Sequence, residues 1–251
     1  GRADMADLER LLQDTTNKTL VSLMHANNEI GTLNPIDEIG ALCKQYQALF
    51  HTDTVQTIGH LPINVKDIYV NFLSGSGHKL HGPKGVGFLY VNKANTIDAY
   101  IDGGGQERKV RSGTENVASI IGMGKALESA IAELVPRQIA IEEIRDYFIA
   151  ELKANFPAIH INGDYDGQYL FTVLNVSFQT NTPVAMLLFK LDLSGISASG
   201  GSACNSGAVT QSRVLSYLDV PEGYHSVRFS FSHYNTKEEV DFAIEKLKTI
   251  V

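Results

Sequence analysis

The chain has 251 residues, 43% of them hydrophobic, enough for one large domain or two smaller ones with a real core. A formal net charge of −7 without any lysine–arginine cluster argues against nucleic acid or an anionic membrane surface as partner. Two cysteines, Cys43 and Cys204, exclude a disulfide framework and fit a reducing cytosol, and no apolar run is long enough to cross a bilayer.

The opening Gly1-Arg2-Ala3-Asp4 lacks an initiator methionine and shows no signal peptide, and the chain reads as a piece of a longer protein. Apolar spacing predicts a helix from Met5 to Leu12, then a strand from Leu20 to His25 ending in the polar loop Asn27-Asn28-Glu29. Pro35 opens a helix to about Gln47, with Ile36, Ile39, Leu42 and Cys43 on one face. Short strands follow at Leu49 to His51, ending at Asp53, and at Tyr69 to Leu73, ending at a lysine-bearing turn. A further apolar run, Val86 to Val91, reads as a third strand. Strand–helix–strand alternation with polar strand ends predicts a mostly parallel α/β sheet with its site at the carboxyl edge.

Asn116 begins a long helical stretch that Pro136 is expected to interrupt, and Ile139 to Ala154 continues it. Beyond it lie strand Phe171 to Phe178, helix Pro183 to Leu191, a Gly/Ser loop around Cys204, helix Val209 to Leu218, strand Ser226 to Phe231 and a last helix from Lys237. This second part reads as a smaller α+β domain. The expected division is 1–133 and 134–251.

Ser74-Gly75-Ser76-Gly77-His78-Lys79, with Gly82-Pro83-Lys84-Gly85 behind it, sets one lysine between two turns. A lone lysine is by default a solvated one. Here Ser76 and His78 supply a hydroxyl and an imidazole, and the glycines let the backbone approach a ligand. With Asp53 on an upstream strand end, a partner for a protonated pyridine ring, the set points to a Schiff-base lysine holding pyridoxal phosphate. Gln56 is placed to reach the ring's phenolate oxygen, and Asn28 belongs to a separate strand-end loop. A helix-capping role is the plain alternative for Asp53.

Generic nucleotide motifs fail: Gly82 is followed by Pro83 where a P-loop needs Lys-Ser/Thr, and Gly103-Gly104-Gly105-Gln106-Glu107-Arg108 lacks the third glycine of a dinucleotide fingerprint. Arg111-Ser112-Gly113-Thr114 suits a phosphate by charge and hydroxyls, or is an ordinary polar turn. Cys204 sits among Gly and Ser without apolar periodicity, a candidate nucleophile, whereas Cys43 is on a helix's apolar face and reads as core. Arg228, in the late strand Val227-Arg228-Phe229-Ser230, suits a carboxylate substrate or a structural ion pair. His51, Asp53, His78 and His81 show no zinc spacing, so no metal site is expected.

These motifs, in order and over nearly the whole chain, resemble cysteine desulfurases, fold-type-I pyridoxal-phosphate enzymes of the class-V aminotransferase group. They are His25-Ala26-Asn27-Asn28-Glu29-Ile30-Gly31, His51-Thr52-Asp53 with Gln56, Ser76-Gly77-His78-Lys79, Gly103 to Arg108, Arg111 to Thr114, Gly201-Ser202-Ala203-Cys204 and Val227 to Ser230. The resemblance implies Lys79, His78 and Cys204 as catalytic residues. It implies cofactor contacts from Asn28, Asp53, Gln56, Ser76, His78, Lys79 and Thr114, the last supplied by the partner subunit of a homodimer. Asn28 and Arg228 would hold the substrate carboxylate.

Cys204, as thiolate, would take the sulfur of L-cysteine, leaving L-alanine and a persulfide. The sulfur would then go to an acceptor such as an iron–sulfur scaffold in the cytoplasm. Selenocysteine lyase is the neighbouring alternative, and an inactive chain that only binds a partner is the alternative of another class. Relative to the family pattern, the amino-terminal segment with the first phosphate turn and the ring-stacking histidine is missing. Thr54 stands where relatives often have alanine, and His81 replaces a commonly aromatic or apolar residue.

Overall fold

A computed structural model describes residues 1–14, 17–200 and 212–251. The elements run α1 (Met5–Gln13), β1 (Leu20–Met24), α2 (Ile36–Gln45), β2 (Leu49–Asp53), β3 (Phe72–Ser76), β4 (Gly87–Val91), α3 (Val117–Ala132), α4 (Leu134–Asn155), β5 (Ile159–Asn162), β6 (Val173–Gln179), α5 (Val184–Leu193), β7 (Tyr224–Ser230) and α6 (Lys237–Ile250). The chain divides into two compact units. One holds Ala3–His25 and Asn34–Leu134; the other holds Gly1–Arg2, Ala26–Leu33 and Val135–Val251. The loop Ala26–Leu33 thus leaves the part of the chain that flanks it and joins the carboxyl-terminal unit.

The first unit is built on a sheet in the order β1-β2-β3-β4. β1, β2 and β3 are parallel, and β4 runs antiparallel to β3. The α/β class with a mostly parallel sheet is therefore as expected from the sequence. The apolar run at β4 is a strand, as expected, and it closes a hairpin with β3. The connection is residues 77–86, too short for the crossover that a parallel neighbour requires. One face of the sheet packs Val21, Phe50 and Leu73 against Leu12 of α1 and Ile36, Ile39 and Cys43 of α2. Asp4 caps α1 by accepting from the N–H groups of Ala6 and Asp7. The other face carries polar groups: the Ser22 hydroxyl lies 2.8 Å from His51 Nδ1, and His51 Nε2 lies 3.2 Å from the Ser74 hydroxyl.

The helical stretch after Asn116 breaks at Glu133, not at Pro136. Pro136 falls in the first turn of α4, where a missing N–H leaves no bond unmade. The second unit holds the antiparallel sheet β5-β6-β7. Leu174, Val176, Phe178, Val227 and Phe229 face a core shared with Phe148 and Leu152 of α4, Leu187 and Leu191 of α5, and Val240, Ile244 and Leu247 of α6. Asn162, Asn175, Ser177 and Ser226 form a hydrogen-bonded polar ladder. A capping box of Thr236 and Glu239 starts α6. β5 has no counterpart among the sequence-predicted strands, because its Ile-His-Ile-Asn alternation is only four residues long, the shortest run that carries a strand signal. Of the helix expected over 209–218, residues 209–211 lie outside the described part. The remainder forms only a 3-10 turn, Leu215–Tyr217.

Candidate functional site

Parallel pairing sends the carboxyl ends of β1, β2 and β3 to one edge. Met24 pairs with Asp53, and Asp53 with Ser74. Asp53 is half-buried at that edge. Its Oδ1 accepts from the Val55 N–H at 2.8 Å, and its other carboxylate oxygen has no partner among the described residues. The chain leaving β3 forms a 3-10 turn, Gly77–Leu80, which carries His78 and Lys79.

Sequence makes this turn by giving up side chains. A Cβ on Gly77 would lie 3.1 Å from Met123 of α3 and 3.1 Å from Val86, so a side chain there would crowd α3. The turn is anchored by the buried Leu80 and by the Gly82 N–H donating to the Gly77 carbonyl at 2.9 Å. It leaves His78 exposed and Lys79 half-buried, with no acid paired to the Lys79 amine among the described residues. His78 Nδ1 lies 2.8 Å from the Ser76 hydroxyl. His60 Nε2 lies 3.1 Å from the Lys79 carbonyl oxygen. Gln56, half-buried three residues after Asp53, makes no hydrogen bond among the described residues.

His25, just beyond β1, belongs to the same edge. Its N–H donates to the Asp53 carbonyl at 2.9 Å, and its Nδ1 lies 3.0 Å from the Thr57 hydroxyl. Burial pushes its pKa down to about 4, so the imidazole is neutral at pH 7.

The Gly103–Thr114 loop turns its polar groups on itself. The Ser112 hydroxyl donates to the Gly104 carbonyl at 2.7 Å, and Arg111 Nη1 donates to the Ser112 carbonyl at 2.7 Å. Thr114 is exposed and makes no hydrogen bond among the described residues. Of this loop's phosphate candidates, Thr114 alone keeps an uncommitted hydroxyl.

Asn28 and Arg228 lie together in the other unit. Arg228 Nη1 donates to the Asn28 carbonyl at 2.9 Å. Cys204 lies outside the described residues. Cys43 is fully buried, and its thiol pKa is pushed up to about 11 by burial, as suits inert core. Among the described residues no group of three or more His, Cys, Asp or Glu side chains is placed to hold a metal ion, and no helix is long and apolar enough to cross a membrane.

The donor set of the first unit is an acid with one open oxygen, an amine free of acid partners, and an exposed hydroxyl–imidazole pair. It fits a ligand that carries a cationic ring nitrogen, a carbonyl and a phosphate. Sequence reasoning missed the bond in which Glu29 Oε2 accepts from the Ser212 hydroxyl at 2.5 Å, the contacts of His51 with Ser22 and Ser74, and the neutral state of His25. Glu29 and His25 are visible in the polar run at the end of β1, but their partners are distant in sequence.

The family model "Aminotransferase class-V" matches residues 1–242. The cysteine desulfurase IscS of Dictyoglomus turgidum is 45% identical over 253 residues, covering 100% of this chain and 63% of that protein. The cysteine desulfurase NifS of Azotobacter vinelandii is 42% identical, covering 100% of this chain and 62% of that protein. The crystal structure of a NifS-like protein from Rickettsia africae superposes with a TM-score of 0.91 at 36% identity, covering 100% of this chain and 67% of that one. The chain spans under two thirds of the length of these curated relatives.

Proposed function

Because the chain belongs to the class-V aminotransferase family, we propose that it performs the cysteine desulfurase reaction with pyridoxal phosphate. In that reaction L-cysteine and an enzyme thiol become L-alanine and an enzyme persulfide. The observation that carries the reading is the common edge of β2 and β3, where Asp53 ends one strand and the Ser76–Lys79 turn follows the next. The names of the relatives at 42–45% identity support it.

When bound, pyridoxal phosphate supplies an electron sink for charge developing at the substrate α-carbon. Lys79 Nζ would hold the cofactor covalently and move the α-proton. The open oxygen of Asp53 would hold the ring-nitrogen proton, and Gln56 would donate to the ring oxygen. Ser76 and His78 would bind the phosphate, with Thr114 supplied by a second copy of the chain. Asn28 would contact both cofactor and substrate, and Arg228 the substrate carboxylate. Cys204 Sγ would attack the substrate sulfur. The new S–S bond forms as the substrate C–S bond breaks, and that electron pair goes to the β-carbon, which takes a proton to become the methyl of alanine. The persulfide would pass its sulfur to an acceptor protein, with iron–sulfur cluster assembly in the cytoplasm as the destination.

The test is an absorption spectrum of the purified chain with pyridoxal phosphate before and after borohydride. A visible band is expected, absent from Lys79→Ala, and the reduced peptide containing Lys79 should carry the pyridoxyl mass. Cys204→Ala should keep the band and form no persulfide. An unmodified Lys79 peptide overturns the assignment.

A further inference from the structure

The first unit holds a cavity away from the residues of the proposed reaction. It has a volume of about 780 Å³ and is lined from the end of α2, the segment before β3, the end of β4 and the loop that follows. All of its lining residues belong to that one compact unit. β3 and β4 pair with Phe72 opposite Val91 and Ser76 opposite Gly87. Val70 and Val91 therefore put the cavity at the amino end of β3, while the Ser76–Lys79 turn lies at its carboxyl end. The length of the strand sets the two apart by about 15 Å.

Four cations line the cavity: Lys44, Lys66, Lys93 and Arg108. Their charge is opposite in sign to that of the whole chain, which is −7. None of the four is paired with an acid among the described residues, whereas Arg10, Lys125 and Lys248 elsewhere on the surface each have one. Asp67 is the one acid in the lining, and it accepts from Asn64 Nδ2 at 2.7 Å.

The cations stand on a fixed frame. Asn64 Oδ1 accepts from the Lys66 N–H at 3.1 Å. On the other side of Lys93, Asn92 donates its N–H to the Asn71 carbonyl at 2.9 Å and accepts at Oδ1 from the Ala94 N–H at 3.0 Å. Asn71 is 7% exposed. It accepts from the Phe50 N–H at 2.8 Å and donates to Asn95 at 2.9 Å, which ties the turn after β4 to the sheet. Arg108 sits within three successive left-handed residues, Glu107, Arg108 and Lys109, at φ 46°, 57° and 68°. Such backbone is costly outside glycine and gathers where ligands are held.

The rest of the lining is largely apolar or aromatic. Val65, Ile68 and Val91 join the rings of Tyr69 and Tyr90. The Tyr69 hydroxyl donates to the Ala48 carbonyl at 3.2 Å, and the Tyr90 hydroxyl has no partner among the described residues. The volume is that of a small-molecule site. Four cations around one cavity repel one another until an anion sits among them. A single carboxylate leaves most of that charge unmatched. Two linked phosphates match it, and ammonium and guanidinium groups are the donors that phosphate takes.

We propose that this cavity binds a diphosphate group, either free or carried on a nucleoside whose base lies against the tyrosine rings. It uses none of the residues of the proposed reaction, so it stands or falls separately from the desulfurase reading.

The experiment titrates the isotope-labelled chain, saturated with pyridoxal phosphate, with pyrophosphate and separately with ADP, and follows amide shifts by NMR. Shifts are expected at Lys66, Asn92 and Lys93 and not at Gly77 or His78. Lys66→Ala and Lys93→Ala should each weaken binding about tenfold, the scale of one charge-assisted hydrogen bond. Lys66→Arg should retain most of it, and Lys125→Ala, at an exposed lysine of α3, should change nothing. Added salt should weaken binding.

Tighter binding of ADP than of pyrophosphate assigns the diphosphate to a nucleotide, and equal binding assigns it to the free anion; the site stands in both cases. Absence of shifts at Lys66 and Lys93 with millimolar ligand overturns the proposal. Binding that Lys66→Ala and Lys93→Ala leave unchanged also overturns it. So does a hexaglutamate peptide that binds more tightly than either ligand, which makes the cavity a docking point for an acidic protein. If the chain retains no pyridoxal phosphate while Lys66 and Lys93 still respond to the diphosphate, the desulfurase reading falls and this site stands.

Discussion

The imidazole Nδ1 of His25 lies 3.0 Å from the Thr57 hydroxyl, and both residues are buried. The pair ties the end of β1 to the turn after β2, on the edge where Asp53 opens. Burial is the main reason the His25 pKa is pushed down to about 4; the charge of Asp37 opposes it.

This pair makes stability pH-dependent with a definite sign. The unfolded chain takes a proton at His25 near pH 6.5, while the folded chain resists until about 4. Between those values the unfolded state binds more protons, so the stability present above pH 6.5 is lost as pH falls toward 4. At about 1.4 kcal/mol per unit, the full loss is about 3 kcal/mol. Urea unfolding of His25→Gln should show a pH 7 to pH 4 decline smaller than that of the unaltered chain by about this amount. Equal declines would contradict the buried neutral imidazole.

Asp53 accepts from the Val55 N–H and, in the proposed reaction, would also hold the ring-nitrogen proton; one substitution separates the two. Asp53→Asn keeps an oxygen for the Val55 N–H and loses the charge. Stability should stay within about 0.5 kcal/mol, as for a surface change that preserves its bond. Exchange of the substrate α-proton with solvent, followed by NMR, should slow about 100-fold, the scale of losing one preorganised electrostatic group. Unchanged exchange would remove Asp53 from the chemistry.

Gly40 faces Tyr69 in the core of the first unit. A Cβ there would stand 2.5 Å from the Tyr69 carbonyl oxygen, a backbone atom that cannot turn aside. Gly40→Ala raises helix propensity and should nonetheless destabilise by about 2 kcal/mol through overpacking. Gly124 has nothing within 4 Å of its Cβ, and Gly124→Ala in α3 should stabilise by about 0.5 to 1 kcal/mol. Denaturant midpoints measure both, and the opposite signs are the check.

Arg145 is buried in the second unit. Its Nη2 donates to the Tyr165 carbonyl at 2.5 Å, and its guanidinium lies 3.9 Å from the centre of the Tyr169 ring. Arg145→Ala leaves that carbonyl without its donor and opens a cavity, and should destabilise by about 3 kcal/mol. Its ion partner Asp146 is 65% exposed, so Asp146→Ala should change stability by less than about 0.5 kcal/mol. A large effect of Asp146→Ala would assign the stability to the ion pair instead.

Helix and strand positions were largely readable because their signals are local. The apolar face of Ile36, Ile39 and Cys43 and the capping pair Thr236 and Glu239 lie within a few residues of each other. Direction and register were not so readable. The run Gly87–Val91 looks alike whether parallel or antiparallel, and the short connection before it decides the matter. The charge and hydroxyls of Arg111-Ser112-Gly113-Thr114 suited a phosphate, but the fold turns the Ser112 hydroxyl inward to the Gly104 carbonyl.

The amino-acid sequence alone determined the residue types that the proposed chemistry calls for: Lys79 between glycine-bearing turns, Asp53 at a strand end, Ser76 and His78 beside the lysine. These are neighbours along the chain, and spacing places them on strands and turns. Only the tertiary structure decided that Arg228 rests on the Asn28 carbonyl and that Ser212 meets Glu29 across 183 residues. Such partners meet through sheet register and loop docking, which depend on the sum of many weak contacts and leave no periodic mark on the sequence.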